Sequence, residues 1–379
     1  KSESESEDGR GTSPDTLLVT CVMQDEVITN TSLNPVIGVL EVDNAGDTTL
    51  LTVNLLLEDR RVYRSTFRAQ GGRSRLDLRM SASLIRSLDS NIRTVTVIVE
   101  VDDCEIARQT SSIKVRAVND LPLTRMQDEI PRCITPSCRE IRELLAGDGP
   151  VMASLQRIRL DDIRDLKMGC LAGVPYRLAT DSLQSYQFKN PAERLANVMA
   201  QAMAVFNALS GMGLKYVDFT SSEGSGQHVF QRVNLPSETL REKRGVCLDF
   251  SCLVASVLEG MGLNPILVFP PGHAMVGVIV SSGRIPYVGN ADYSGCRFIH
   301  TMDVEIGDGH KDTIQAFFIE STLIGTSSFA YSLERADSKM REYMETIMSE
   351  RMYTVVYFRR RHGGVLPLES SPRDIGGRK

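Results

Sequence analysis

The sequence predicts an α+β protein, an N-terminal Ig-like β-sandwich followed by a mixed α+β domain. Three observations carry this expectation. Residues 16–118 hold about seven short runs rich in Val, Leu, Ile and Thr, separated by turn residues. From residue 190 onward, apolar stripes at helical spacing alternate with short apolar strands. The chain has 379 residues, 42% hydrophobic and 24% charged, an ordinary globular composition and enough for two domains at roughly 100–200 residues each.

Taken in order, residues 1–15, KSESESEDGRGTSPD, are polar and charge-rich and read as a disordered tether. Such a stretch suits an anchored exported protein and an interdomain linker equally, so cytoplasmic and exported locations both stay open. The runs TLLVTCVM, NPVIGVLEV, TTLLTVNLLLE, RVYRSTF, SRLDLRM and RTVTVIVEV are the sandwich strands. Asn44-Ala45-Gly46-Asp47 and Gly71-Gly72 supply turn chemistry between them. Cys21 and Cys104 fall in strands, but the chain has no Trp, so the Cys…Trp…Cys hallmark of immunoglobulin domains is missing. We read both as buried thiols.

Residues 119–189 form a mixed helical connector, with helical spacing in SCREIRELLAG and GPVMASLQRI. Cys133 and Cys138 have no second pair at zinc-site spacing and read as incidental. A clear helix then starts at Asn190, which caps it, with Pro191 at the first position and Glu193 three residues on. Leu195, Val198, Met199, Ala202, Phe206 and Leu209 make its apolar stripe, and Gly211 and Gly213 end it. LKYVDF reads as a short strand. A late helix from about Ser332 to Arg351 carries Leu333, Met340, Tyr343, Met344, Ile347 and Met348 as a core-facing stripe. VVYF adds an edge strand after it. Residues 190–367 make up the second domain and 368–379 a flexible tail, preceded by the solvated arginines Arg359, Arg360 and Arg361.

Composition excludes several classes. The formal charge is −5, from 43 basic and 48 acidic residues, so no overall basic field attracts nucleic acid and no direct nucleic-acid binding is expected. No apolar run approaches the ~20 residues of a membrane-spanning helix. Eight Cys are far below the density of a disulfide scaffold, and all but one read as incidental. Asp303, Glu305, Asp308 and Asp312 lack the alternating ligand order of a calcium loop and read as a solvated acidic loop. His228, His300, His310 and His362 show no ligand spacing and read as surface or core histidines, so no metal or cofactor is expected.

Chemistry concentrates after Leu235. Pro236 starts a short helix, Gly245 breaks it, and Cys247 opens a second, largely apolar helix that Gly260 and Gly262 stop. Only a thiolate is a strong nucleophile, and a helix N-terminus favours that form of a thiol. Gly245 is expected to allow a tight turn beside the sulfur. His273 follows a Pro270-Pro271-Gly272 turn at the start of a strand and could take and return the thiol proton. A third group must orient the imidazole. Glu320, at the end of the apolar strand AFFIE, is preferred because a strand end holds a carboxylate rigidly; Asp292, in the loop GNADYSG, is the alternative.

The same blocks resemble the transglutaminase-like cysteine-enzyme superfamily of papain-like fold. The motifs are R-G-V-C-L-D at Arg244–Asp249, P-G-H-A-M-V-G-V at Pro271–Val278 and F-I-E-S-T at Phe318–Thr322. The resemblance implies Cys247 as nucleophile, His273 as base and Glu320 as its orienting group, where many members carry Asp. It is closest to a bacterial subgroup in which the domain follows a β-sandwich and can precede helicase modules, and it runs from about Asn34 to about Pro367. This makes the second domain a papain-like/transglutaminase-like α+β domain. The Cys247 backbone N–H is one natural oxyanion donor, and Gln227 could supply a side-chain N–H.

Two functions follow. The first is a thiol enzyme, peptidase-like, cleaving an amide or acyl bond of a protein or peptide through a thioester. Hydrolysis is favoured over transamidation because nothing marks an amine-acceptor site. The alternative is a catalytically inactive scaffold whose β-sandwich recognises a partner. No motif specifies an oligomeric state.

Overall fold

Short-range turn chemistry builds the first part of the chain. The computed structural model describes residues 17–24, 26–28, 36–80, 91–116, 119–122, 129–173, 175–183, 186–217, 230–270, 272–305, 311–350 and 355–357. Two units divide between Asp120 and Leu121.

The first unit contains β1 (Leu17–Met23), β2 (Glu26–Ile28), β3 (Val36–Asn44), β4 (Thr49–Leu57), β5 (Arg60–Ala69), β6 (Gly72–Arg79), β7 (Asn91–Val101) and β8 (Cys104–Arg116). One sheet has the order β1-β3-β6 and the other β2-β8-β7-β4-β5. Two hairpins turn on paired acidic residues in the left-handed region, Glu58-Asp59 between β4 and β5 and Asp102-Asp103 between β7 and β8. Left-handed geometry at both central positions matches the twist of the flanking strands. Ile37, Leu40 and Leu78 of the first sheet and Leu51, Val53, Val97 and Val99 of the second share one core. That is a sandwich. Cys21 is half-buried, but Cys104 is exposed, contrary to the sequence expectation. It opens β8 directly after the Asp102-Asp103 turn, at a hairpin tip where Asp102, Asp103 and Glu105 are exposed as well.

The short strand β9 (Asp120–Pro122) straddles the division. The second unit carries helices α1 (Arg139–Leu145), α2 (Pro150–Leu155), α3 (Leu160–Arg164), α4 (Pro191–Gly211), α5 (Pro236–Glu242), α6 (Cys247–Gly260) and α7 (Phe329–Glu350). Its strands are β10 (Lys215–Tyr216), β11 (Phe230–Arg232), β12 (Arg244–Gly245), β13 (Pro265–Val268), β14 (Met275–Ser282), β15 (His300–Glu305), β16 (Lys311–Ile319) and β17 (Val355–Tyr357). The main sheet is antiparallel with the order β15-β16-β14-β13-β17, so β17 is an edge strand. Asn190 caps α4 by accepting from the N–H groups of Ala192 and Glu193. Ile141, Leu144, Val151 and Leu155 of α1 and α2 join α4, α6 and the sheet in one core. Among the described residues, no helix is long and apolar enough to cross a membrane.

Two of the cysteines expected to be incidental are joined. Cys170 and Cys296, 126 residues apart, form a disulfide with a Cα–Cα distance of 4.9 Å. Gly169, next to Cys170, has a φ of +78°, a left-handed conformation that favours glycine. Such a pairing is invisible in sequence spacing because the fold alone brings the two loops together.

Candidate active site

Three elements of the second unit converge at one end of the main sheet. Cys247 is the first residue of α6, after Val246 in extended conformation. Asp249 fixes this helix start: its carboxylate accepts from the backbone N–H of Val246 at 3.0 Å and of Asn234 at 2.8 Å. Burial raises the Asp249 pKa to about 6, against the lowering effect of those two hydrogen bonds. Gly245 does not make the turn. Lys243 does, at φ +54°, whereas Gly245 is absent from the left-handed region. A Cβ on Gly245 would lie 2.9 Å from the Asp249 Cβ and 3.1 Å from the Phe250 ring. The glycine is therefore required by close packing of β12 on the first turn of α6, a correction to the expected conformational role. The backbone N–H of Cys247, in the first helical turn, has no intrahelical acceptor.

His273 lies two residues ahead of β14, and its N–H donates to the Pro270 carbonyl at 2.9 Å across the turn. Glu320 immediately follows β16, which pairs with β14 in the register Val276 to Ile319. Neighbouring strands thus deliver the imidazole and the carboxylate to the same sheet end. Gly277 allows the close pairing, since a Cβ there would meet the Phe318 ring at 2.6 Å. His273 Nε2 is 2.9 Å from Glu320 Oε2. The Cys247 side chain also acts on His273, as one of the groups that favour its protonated form. With Nε2 committed to the carboxylate, Nδ1 is the nitrogen left for the sulfur.

Glu320 is 2% exposed. Its Oε1 accepts from the Thr322 hydroxyl at 2.6 Å and from the Thr322 N–H at 3.3 Å. Its Oε2 is shared between His273 and Lys339, whose Nζ is 2.5 Å away. Burial would raise the Glu320 pKa, but hydrogen bonds from His273, Lys339 and Thr322, with the His273 charge, hold it at about 2. Burial would lower the His273 pKa, but hydrogen bonds to Cys247 and Glu320 and the Glu320 charge lift it to about 9, against the Lys339 charge. A neutral-pH imidazolium beside a thiol sulfur permits a thiolate–imidazolium pair.

The structure keeps Asp292 away from this cluster. Its Oδ1 accepts from the Ser294 N–H at 2.9 Å and from Gln315 Nε2 at 3.2 Å. Gln315 pairs with Ser281, five positions along β14 from the Val276 register that adjoins Glu320. A loop carboxylate was the weaker choice because nothing ties such a loop to the His273 strand end. Gln227, His228, His310 and His362 lie outside the described residues. His300 is half-buried with Nε2 3.0 Å from Asp337 Oδ1. Asp312 is buried, not solvated, and accepts from the Ser282 hydroxyl and the Arg284 N–H. Cys252 is fully buried, and burial pushes its thiol well above the ordinary range.

Two residues that matter here escaped sequence reasoning. Ser251, one turn along α6 from Cys247, contacts the Ser321 hydroxyl at 3.0 Å and the Ala274 carbonyl at 3.2 Å. It therefore ties the Cys247 helix to the neighbours of both Glu320 and His273. Lys339 stands three residues after Ala336 and four before Tyr343, on the buried side of α7. A lysine in step with an apolar stripe was the available signal.

No curated protein matches the chain in sequence. Among solved structures, the CARDB domain of a Pyrococcus furiosus protein, solved with di-metal ions, is similar at 13% identity and a TM-score of 0.21, covering 27% of this chain and 93% of that one. A candidate β-galactosidase from Bacteroides fragilis is similar at 16% identity and a TM-score of 0.19, covering 29% of this chain and 16% of that one. Residues 187–282 match the family model described as a transglutaminase-like domain, a stretch that contains Cys247 and His273 and ends ahead of Glu320.

Proposed function

We propose that the protein is a thiol enzyme of transglutaminase-like type and papain-like fold. Cys247, His273 and Glu320 act as its triad, and it hydrolyses an amide or related acyl bond of a protein or peptide. The single observation that carries this reading is the imidazole itself. Its Nε2 is 2.9 Å from a carboxylate that is almost wholly buried at the end of the neighbouring strand.

The chemistry runs in two halves. The Cys247 thiolate attacks the carbonyl carbon, and the developing oxyanion is met by the free Cys247 N–H. Gln227 is our candidate for a second donor. The C–N bond breaks as His273 gives its proton to the leaving amine, which leaves a thioester and a neutral imidazole. Neutral His273 then takes a proton from water, the resulting hydroxide equivalent attacks the thioester, and the acid product leaves as the thiolate–imidazolium pair returns. Glu320 orients the ring and stabilises its protonated form. Water is favoured as acceptor because it completes the cycle without an amine site. The β-sandwich ahead of this unit is consistent with the bacterial subgroup whose members can carry helicase modules, and a substrate-recognition role for it belongs to the same reading.

The test is untargeted peptide and protein substrate profiling of the full chain against Cys247→Ala. Products confined to the wild type are expected. A product formed equally by both proteins removes Cys247 from the mechanism. A wild type that yields none, and whose Cys247 alkylates no faster than the exposed Cys104, favours the scaffold.

A further inference from the structure

We propose that Lys339 is a positioning residue of this site: its ammonium holds Glu320 Oε2 in place and opposes the protonated form of His273. The proposal rests on the thiol-enzyme reading above. Lys339 Nζ stands 2.5 Å from Glu320 Oε2 and 3.1 Å from His273 Nε2. An ammonium only donates, and Nε2–H also donates to Oε2. Two donors thus meet at one oxygen, and when His273 is protonated two positive charges face each other across that atom.

Cys247 faces His273 from α6, Glu320 from the end of β16, and Lys339 from α7. Tyr343, one turn along α7, has its phenol raised by burial first and then by the charges of Glu342 and Glu320. Asp249 is turned away onto Val246 and Asn234. With Lys339 charged and Glu320 ionised, a thiol with neutral imidazole and a thiolate with imidazolium both leave the cluster at zero net charge. Attack by sulfur changes this. Once the sulfur has bonded to the carbonyl carbon and its charge has moved to the substrate oxyanion, the imidazolium shares one carboxylate with an ammonium. The cluster is then a net +1, which drives the His273 proton onto the leaving nitrogen as the C–N bond breaks.

Ser332 locks the geometry, since its hydroxyl donates to the Glu320 carbonyl at 3.1 Å and so fixes α7 to the strand end. The Lys339 side chain is 25% exposed against 3% for Glu320, so the ammonium closes the solvent side of a buried carboxylate.

The experiment is the pH dependence of Cys247 alkylation by iodoacetamide in the full chain, with Cys104 as internal reference. In Lys339→Met the alkaline limb is expected to rise by about one pH unit, because a cation about 3 Å from the imidazolium is gone. Lys339→Arg is expected to restore the wild-type limb to within a few tenths of a unit. Should Lys339→Met fail to fold, Lys339→Gln is read in the same way. A lowered melting temperature with an unmoved limb overturns the proposal, because it reduces Lys339 to a counter-ion of Glu320. A wild type with no limb at all, and Cys247 no faster than Cys104, overturns the thiol-enzyme reading itself. The two failures are therefore distinct.

Discussion

Replacing Glu320 with Gln keeps the size of the side chain and removes its charge. In the wild type His273 is lifted from 6.5 to about 9, chiefly by its hydrogen bonds to Cys247 and Glu320 and by the Glu320 charge, against burial. Without the carboxylate, burial and the now uncompensated Lys339 both act downward, so the His273 pKa is expected to fall to 6.5 or below. At pH 8 the wild-type imidazole is then about nine-tenths protonated, and the variant's about 3%, a drop of roughly thirty-fold in the imidazolium form. The assay is the rate of Cys247 carbamidomethylation across pH 5–10, read by mass spectrometry, with thermal melting to confirm the fold. A Glu320→Gln protein that melts normally and keeps its alkaline limb near pH 9 refutes the orienting role of the carboxylate. The same groups carry a stability dependence. The raised His273 pKa contributes stability that is complete below pH 6.5 and is lost as pH rises through about 9. The depressed Glu320 pKa contributes stability that is complete above pH 4.5 and is lost as pH falls through about 2.

Two further outcomes follow from packing and covalent structure. Gly245→Ala places a methyl 2.9 Å from the Asp249 Cβ, so α6 must shift, with an expected cost of about 1–3 kcal/mol in a denaturant melt and slower Cys247 alkylation. An unchanged melt and an unchanged rate would show that β12 yields without moving the helix. Reduction of the Cys170–Cys296 bond, or Cys296→Ser, opens a loop of 126 residues and is expected to destabilise the second unit by up to roughly 5 kcal/mol. Identical denaturation midpoints with and without reductant would show that the bond is not formed in the folded protein.

The legibility of the chain differed from place to place for physical reasons. The start of α4 was readable because Asn190, Pro191 and Glu193 act on backbone groups within a few residues of themselves. The strands between residues 17 and 116 were readable in outline because β-branched runs and turn residues are local signals. The exposure of Cys104 was not, because it depends on how far the core layer extends over a hairpin tip. The role of Gly245 was misjudged for a related reason. Glycine is expected where φ is positive, but here the requirement is a missing Cβ against Asp249 and Phe250, which only the packed helix reveals. Lys339 was passed over because a charged residue on a helix normally reads as its solvated face.

By itself the sequence determined the order of helices and strands and the chemical types available: a thiol ahead of a helix, a histidine after a turn, a carboxylate at a strand end. Those are properties of neighbouring residues, set by dihedral preference, capping and periodicity. The sequence favoured Glu320 over Asp292 as the partner of His273, and the tertiary structure supplies the contact itself. The antiparallel register of β14 and β16 puts Glu320 beside His273 and leaves Asp292 at Gln315, further along the strand. The tertiary structure alone also joined Cys170 to Cys296 and brought Lys339 to within 3.1 Å of the imidazole. Such contacts are long-range, made by strand pairing and by docking of α7, and no local pattern in the chain encodes them.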